Sequence, residues 1–172
     1  MKFLPFLCCL LLSVATQYGQ SLLKPSDRVV FIGDSITGQG GNNPDGWVHL
    51  IGRGLKAAHP DAAQALVALG GSGQTVGSWL SIEKKSRSAP TILDVKGVDA
   101  QVELGQPADV VVSMLGMNDV LCPRTGNDEA GIKAWTSQYR ELIRAVRART
   151  NPRVFALATP TMCTEDPDSP KN

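Results

Sequence analysis

Residues 29–37 read V-V-F-I-G-D-S-I-T, a short apolar run that stops at Gly33 and is followed by a polar turn carrying one serine. This pattern is typical of a buried parallel strand, and α/β proteins place their chemistry at the carboxyl edge of such strands. Gly33 relieves the steric cost of a sharp turn. Ser35 would then lie where the next helix begins, among free backbone N–H groups, and is a candidate nucleophile. The alternative is that Asp34 or Ser35 only caps that helix.

Strand and helix patterns alternate along the rest of the chain. The spacing of apolar residues and the positions of helix-breaking residues predict strands at residues 29–32, 65–69, 109–115 and 154–158. They predict helices at residues 47–58, 76–82, 98–104 and 128–149. The strand at 109–115, D-V-V-V-S-M-L, is nearly all apolar, as expected when both of its faces are covered. This alternation predicts a doubly wound parallel sheet in a three-layer α/β/α fold of the flavodoxin-like type.

Length and charge restrict the function classes. The chain has 172 residues, which suits one domain, and its composition of 42% hydrophobic and 19% charged residues is ordinary for a globular α/β protein. The formal net charge is +1, which gives no electrostatic case for nucleic acid or for an acidic membrane surface. We therefore expect no nucleic-acid partner.

The first 20 residues have the features of a secretory signal peptide. Lys2 supplies the positive charge, residues 3–15 form a short apolar stretch, and Ser13 and Ala15 are small residues at the −3 and −1 positions. We predict cleavage after Ala15 and a secreted or periplasmic protein, with no membrane association beyond the signal peptide. A retained amino-terminal anchor is the alternative.

Two cysteines remain after such cleavage, because Cys8 and Cys9 leave with the signal peptide. Cys122 and Cys163 each lie just beyond a predicted strand, so they could be neighbours on one rim of the sheet. Export permits a disulfide between them, but the spacing cannot establish the geometry that a disulfide needs. A bridge and two free thiols both stay open.

Three predicted strand ends should meet at one edge of the sheet, namely residues 33–35, 70–75 and 116–119. Acyl transfer needs a nucleophile, donors for a developing oxyanion and a base. Gly73 could bring a backbone N–H close to a substrate oxygen, and Asn118 could donate its side-chain amide to the same oxygen. The plain alternatives are a tight glycine turn and, at Asn118 and the residue after it, a turn with a helix cap.

These blocks resemble those of the GDSL, or SGNH, hydrolases: F-I-G-D-S-I-T the first, G-G-S-G-Q-T the second and G-M-N-D the third. The match in order and spacing spans roughly residues 28–161. The resemblance implies Ser35 as nucleophile and an oxyanion hole formed by the Ser35 backbone, Gly73 and Asn118, with Gly71 as the alternative to Gly73. It implies no metal and no cofactor. It also implies supporting roles for the carboxyl groups of Asp34 and Asp119. Asp119 would orient the third block rather than take part in the reaction.

The sequence contains no recognisable candidate for the general base that a serine nucleophile needs. The family supplies it from a D-x-x-H block near the carboxyl terminus, and no D-x-x-H occurs in this sequence. The only two histidines, His49 and His59, come soon after Ser35, so we do not expect either to be the base. We predict that residues 26–172 are an incomplete hydrolase domain, a fragment truncated at its carboxyl-terminal end, with little activity alone. A natural protein that has lost its catalytic end is the alternative.

The predicted substrate class is an acyl ester, of a small molecule or of extracellular carbohydrate. Trp47 and Trp79 could stack on sugars or pack in the core. Two other functions stay open: a non-catalytic carbohydrate-binding relative, and a nucleotide-binding domain suggested by G-G-S-G-Q-T-V-G between a strand and a helix. A dinucleotide loop, however, belongs after the first strand, which here ends in G-D-S.

Overall fold

The computed structural model describes residues 22–84, 94–95, 98–121 and 126–159. Four of the described strands form a parallel sheet in the order β2-β1-β5-β6, and the other two form a separate antiparallel pair. In chain order the described strands are β1 (Arg28–Gly33), β2 (Ala65–Gly70), β3 (Asp94–Val95), β4 (Val98–Asp99), β5 (Val110–Met114) and β6 (Val154–Leu157). This sheet confirms the predicted α/β class.

Helices connect the parallel strands. The described helices are α1 (Ser35–Asn42), α2 (Trp47–Ala58), α3 (Val76–Lys84), α4 (Ala100–Leu104), α5 (Met117–Leu121) and α6 (Glu129–Thr150). The helix predicted at 98–104 is wrong at its start, because residues 98–99 pair with β3 and the helix begins at Ala100. Bounds were not predicted for the short helices α1 and α5.

The sheet is covered on both faces, which explains why its strands are apolar runs. Successive side chains of β1 alternate between two hydrophobic clusters. Val30 and Ile32 pack with residues of α3, α4 and α6, including the wholly buried Leu142. Val29 and Phe31 pack on the opposite face, against α2.

The strand ends are level at the carboxyl edge of the sheet. Gly33 pairs with Gly70 of β2 on one side and with Met114 of β5 on the other. Since neighbouring strands lie only about 4.8 Å apart, the segments that follow these three residues start side by side. The register therefore brings the three predicted blocks to one place.

Some predictions fall on other parts of the chain. The signal peptide at residues 1–20, with its cleavage after Ala15, lies outside the described residues, and so do Cys122 and Cys163. Within the described ranges, no helix has the length and apolar character needed to cross a membrane.

Candidate active site

The turn after β1 is organised by the carboxylate of Asp34. Asp34 is the N-cap of α1: its side-chain Oδ1 accepts the Ile36 N–H at 2.9 Å, and the residue is only 2% exposed. Ser35 is the first residue of the helix and is half-buried. Among the described residues, its hydroxyl has no hydrogen-bond partner. Asp34 is thus the cap of α1, and the Ser35 hydroxyl at the helix N-terminus is not engaged by any residue that the structure describes.

Gly70, which begins the second block, packs directly against this turn. A Cβ atom built on Gly70 would lie 2.4 Å from the Asp34 carbonyl oxygen and 2.4 Å from the Gly38 nitrogen. Both atoms belong to the backbone, which cannot easily move aside. Position 70 therefore requires glycine, and that glycine sets β2 against the first turn of α1.

Gly73 lies further along the same loop. Its φ of 70° is in the left-handed region that favours glycine, and nothing lies within 4 Å of the place where a Cβ would be. The residue is exposed, and none of the described residues accepts a hydrogen bond from its N–H. The carbonyl oxygen of Gly71, the alternative donor, accepts the Gln74 N–H at 3.3 Å within the turn, a contact that does not involve the Gly71 N–H. Within the described ranges, the Gly73 N–H is therefore an unengaged donor.

The third block is tied to the second by two side chains of α5. The Asn118 Nδ2 donates to the Gln74 carbonyl oxygen at 2.9 Å. The Asp119 carboxylate accepts the Val76 N–H, with distances of 3.2 and 3.3 Å to its two oxygens. Since a side-chain amide carries two N–H groups, Asn118 keeps one donor for another acceptor. Asp119 holds α5 to the N-terminus of α3, which is an orienting contact.

Two carboxyl groups of the site have raised pKa values. Burial raises the pKa of Asp34, against the lowering effect of the Ile36 N–H. Burial also raises the pKa of Asp119; the Val76 N–H lowers it, and the negative charge of Asp34 raises it further. Electrostatic coupling of the first and third blocks is consistent with their neighbouring positions in the sheet register.

Two tryptophans support the site from within the protein. Trp79 of α3 is fully buried and donates its Nε1–H to the Gly33 carbonyl oxygen at 2.9 Å. Trp47 is half-buried, contacts Phe31 edge-to-face at 5.2 Å between ring centroids, and donates to the Ile36 carbonyl oxygen at 3.1 Å. Stacking of Trp79 on a sugar is wrong, because its ring has no exposed surface. Nothing in the sequence indicated these two hydrogen bonds, which depend on ring direction.

One histidine lies on α2, and the other directly follows that helix. His49 is exposed on α2, and its Nε2 lies 2.8 Å from the carbonyl oxygen of Gly41 in α1. His59 is the exposed C-cap of the same helix. In the described part of the chain, no three His, Cys, Asp or Glu residues are grouped so that they could hold a metal ion.

A family model places the whole arrangement in a known group. The model of the GDSL-like Lipase/Acylhydrolase family matches residues 31–172. The chain belongs to this family. Membership confirms the resemblance carried by the three sequence blocks, and it favours a hydrolase over a nucleotide-binding domain. A comparison with curated proteins found no significant match.

Solved structures confirm the fold of this GDSL-like chain. It is similar to a single-residue variant of Axe2, an acetyl xylan esterase from Geobacillus stearothermophilus, with a TM-score of 0.62 and 21% identity over 87% of this chain and 67% of that one. Unsubstituted Axe2 gives a TM-score of 0.60 at 21% identity, over 87% of this chain and 67% of that one. The acetyl xylan esterase AlAXEase gives 0.57 at 25% identity, over 82% of this chain and 62% of that one. The chain thus spans about two thirds of their length.

Proposed function

We propose that this protein is a serine ester hydrolase with Ser35 as its nucleophile and an oxyanion hole formed by the Ser35 backbone N–H, the Gly73 N–H and the Asn118 amide. The observation that carries the proposal is the division of roles in the first block. Asp34 caps α1, so the Ser35 hydroxyl is left without a partner among the described residues, at a helix N-terminus. Free N–H groups at that position favour a developing negative charge.

The mechanism follows from these positions. The Ser35 Oγ attacks the ester carbonyl carbon and gives up its proton to a base, while the carbonyl oxygen takes the negative charge. The oxyanion accepts hydrogen bonds from the three donors, each of which typically lowers the barrier by about 3 kcal/mol. The intermediate collapses, the alcohol leaves with a proton, and water then hydrolyses the acyl-enzyme by the same route.

The base is proposed to come from a D-x-x-H block that these 172 residues do not contain. His49 is an unsuitable replacement, since its Nε2 contacts the Gly41 carbonyl oxygen near the C-terminal end of α1, whereas Ser35 begins that helix. Loss of the base costs orders of magnitude in rate, although an oxyanion hole alone retains some acceleration. We therefore expect slow turnover from this chain by itself.

The proposed substrates are acyl esters, with those of carbohydrate favoured. Support comes from the similarity of the fold to two acetyl xylan esterases, AlAXEase and Axe2. The proposed signal peptide at residues 1–20 would place the protein outside the cytoplasm, where such polysaccharide esters occur. A relative that binds carbohydrate without hydrolysing it is the alternative that the experiment must separate.

The deciding experiment is labelling by a serine-directed fluorophosphonate, with the modified residue located by mass spectrometry. Added imidazole serves as an external base in place of the missing histidine. We expect a single adduct on Ser35 that forms faster as the imidazole concentration rises. The Ser35→Ala variant should show no such adduct, whereas Ser137→Ala, which removes an exposed serine of α6, should label normally.

Two outcomes of the labelling experiment would contradict the proposal. If Ser35 stays unlabelled at every imidazole concentration while an acetylated xylooligosaccharide still binds in calorimetry, the hydrolase proposal fails and the carbohydrate-binding alternative is favoured. Labelling that occurs equally in the Ser35→Ala variant would also contradict it.

A further inference from the structure

An apolar cavity of about 250 Å³ lies beside the third block. Its wall is formed by the end of β5, by α5 and by the first turns of α6. The residues that line it are Leu115, Gly116, Asp119, Val120, Gly126, Asn127, Ile132 and Trp135.

The sheet register places this cavity next to the nucleophile turn. Gly33 pairs with Met114, so Leu115 and Gly116 leave the sheet beside Asp34 and the serine that follows it. The glycine loop of the second block leaves the sheet from β2, on the other side of β1. Asp119 of the cavity wall accepts the Val76 N–H, and Asn118 of the same helix contacts Gln74, so the cavity also adjoins the second block.

Two cavity residues expose apolar surface that a folded core would normally hide. Ile132 belongs to the apolar stripe of α6 but is 58% exposed, and Val120 of α5 is 37% exposed. Further along the same stripe, Tyr139, Leu142 and Val146 are buried. Apolar surface that lines a concave site is the usual feature of a ligand pocket.

The inner wall of the cavity is held in place. Trp135 is half-buried and contacts Tyr139 at 5.2 Å between ring centroids. Tyr139 is in turn hydrogen-bonded to the buried Ser113 of β5 at 2.8 Å. At the opposite wall, the Asp119 carboxylate is engaged by the Val76 N–H. The pocket thus has a preformed floor, which lowers the entropic cost of binding.

We propose that this cavity binds an apolar group of the ester substrate that is larger than acetyl, such as a phenyl ring or an alkyl chain of about six carbons. A buried cavity of about 150 Å³ is known to hold benzene, so the volume here is sufficient for either group. This proposal rests on the proposed function, since it assigns the cavity to the same ester. The group is defined by its chemistry and could belong to the acyl or to the alcohol part.

Binding is measured in the Ser35→Ala variant, so that hydrolysis cannot interfere. Two ester series are titrated by calorimetry: acetates of ethanol, butanol and hexanol, and methyl esters of propanoic, butanoic and hexanoic acid. Each methylene that becomes fully buried should tighten binding by about fourfold. The series that shows this increase identifies the part of the ester that the cavity takes.

Substitutions at exposed positions test where the ligand binds and should leave the protein folded. Ile132→Asn should weaken binding of the six-carbon ligand by about fivefold or more and leave the shortest ligand unaffected. Leu50→Asn is the matched control, because Leu50 is 54% exposed on α2 and takes no part in the cavity. It should change neither affinity.

Equal affinities along both series, or a six-carbon affinity that Ile132→Asn leaves unchanged, would overturn the proposal. This failure is separable from failure of the proposed function, which is decided by labelling of Ser35. Chain-length dependence that is lost in Ile132→Asn, together with an unlabelled Ser35, would leave an apolar binding site but overturn its assignment to an ester being hydrolysed.

Discussion

Asn118 and Gln74 are joined by one hydrogen bond, in which the side-chain Nδ2 donates to the main-chain carbonyl oxygen at 2.9 Å. Gln74 directly follows Gly73, so this bond ties one proposed oxyanion donor to the peptide next to another. One N–H of the amide holds the second block, and the other is the proposed oxyanion donor. In the proposed mechanism a single side chain thereby both positions the loop and supplies a donor.

Asn118→Ala should therefore damage catalysis more than stability. We expect a loss of about 100-fold or more in ester turnover, as is typical when an oxyanion donor is removed. The free energy of unfolding should fall by only about 1 kcal/mol. Turnover of ethyl acetate with added imidazole, corrected for the rate without protein, together with urea denaturation, measures both effects.

Gln64→Ala is the control for that variant. The Gln64 amide also donates to a main-chain carbonyl, that of Lys24 at 3.1 Å, but it precedes β2 at the opposite end of the strand. It should lose comparable stability and keep its turnover. Equal turnover in the two variants would remove Asn118 from the proposed oxyanion hole.

Gly73→Ala tests the second donor. The left-handed φ of 70° makes alanine unfavourable there by about 1–2 kcal/mol, although no atom obstructs the new methyl group. The backbone should relax toward negative φ and redirect its N–H, so turnover should fall well beyond what the stability loss explains. Gly54→Ala is the matched control: it lies in α2 with nothing near its Cβ, and it should gain about 0.5–1 kcal/mol. Unchanged turnover in Gly73→Ala would favour Gly71 as the donor.

Gly70→Ala should be the most destabilising of the glycine substitutions. Its methyl group would meet backbone atoms of Asp34 and Gly38 at 2.4 Å, and such overpacking typically costs about 1–3 kcal/mol or more. Because the clash falls on the turn that carries Ser35, the proposed nucleophile, fluorophosphonate labelling should slow even in the fraction that remains folded. A melting temperature equal to that of the unsubstituted protein would show that β2 and α1 can separate freely.

The pH dependence of stability should change in Asp34→Asn. Burial raises the pKa of Asp34 in the folded protein, so the folded state binds this proton more tightly than the unfolded chain does. The resulting stability is present below the unfolded pKa and is lost as the pH rises through the folded pKa. Asparagine caps helices as well as aspartate but carries no charge. The free energy of unfolding of the unsubstituted protein should therefore fall, relative to the variant, as the pH rises toward neutrality.

Carboxyl-carbon NMR gives an independent check of the same variant. The charge of Asp34 is one of the causes that raise the pKa of Asp119, so its removal should lower the Asp119 pKa. Parallel stability profiles and an unchanged Asp119 titration would together disprove the coupling between the first and third blocks.

The long periodic elements were predictable from the sequence alone. The bounds predicted for α2 are those observed, and α6 begins one residue after the predicted start because Asp128 is its N-cap. The short helix α1 was harder to predict, because its sequence S-I-T-G-Q-G-G-N contains three glycines, which are poor helix formers. Tertiary contacts explain it: Gly38 meets the backbone of Gly70, and a Cβ on Gly41 would strike Ala68.

The sequence indicated the candidate site residues by type and order, but it could not show which of them are in contact. The pattern G-D-S could not show whether Asp34 or Ser35 is the cap, since both residue types cap helices. Similarly, Ile132 lies on the same apolar stripe of α6 as the buried Tyr139 and Leu142, but it is exposed at a cavity. Periodicity identifies a face of a helix, but only the neighbouring elements decide whether that face is filled.

The hydrogen bond from Trp79 to the Gly33 carbonyl has a consequence for protein engineering. Trp79 is a core residue by burial, so a redesign that optimises packing alone would treat its ring as exchangeable for another large side chain. The same indole, however, anchors the strand end from which the serine turn departs. Variants selected only for heat resistance could therefore lose function through a position that never meets the ligand, and libraries for this scaffold should hold residue 79 fixed.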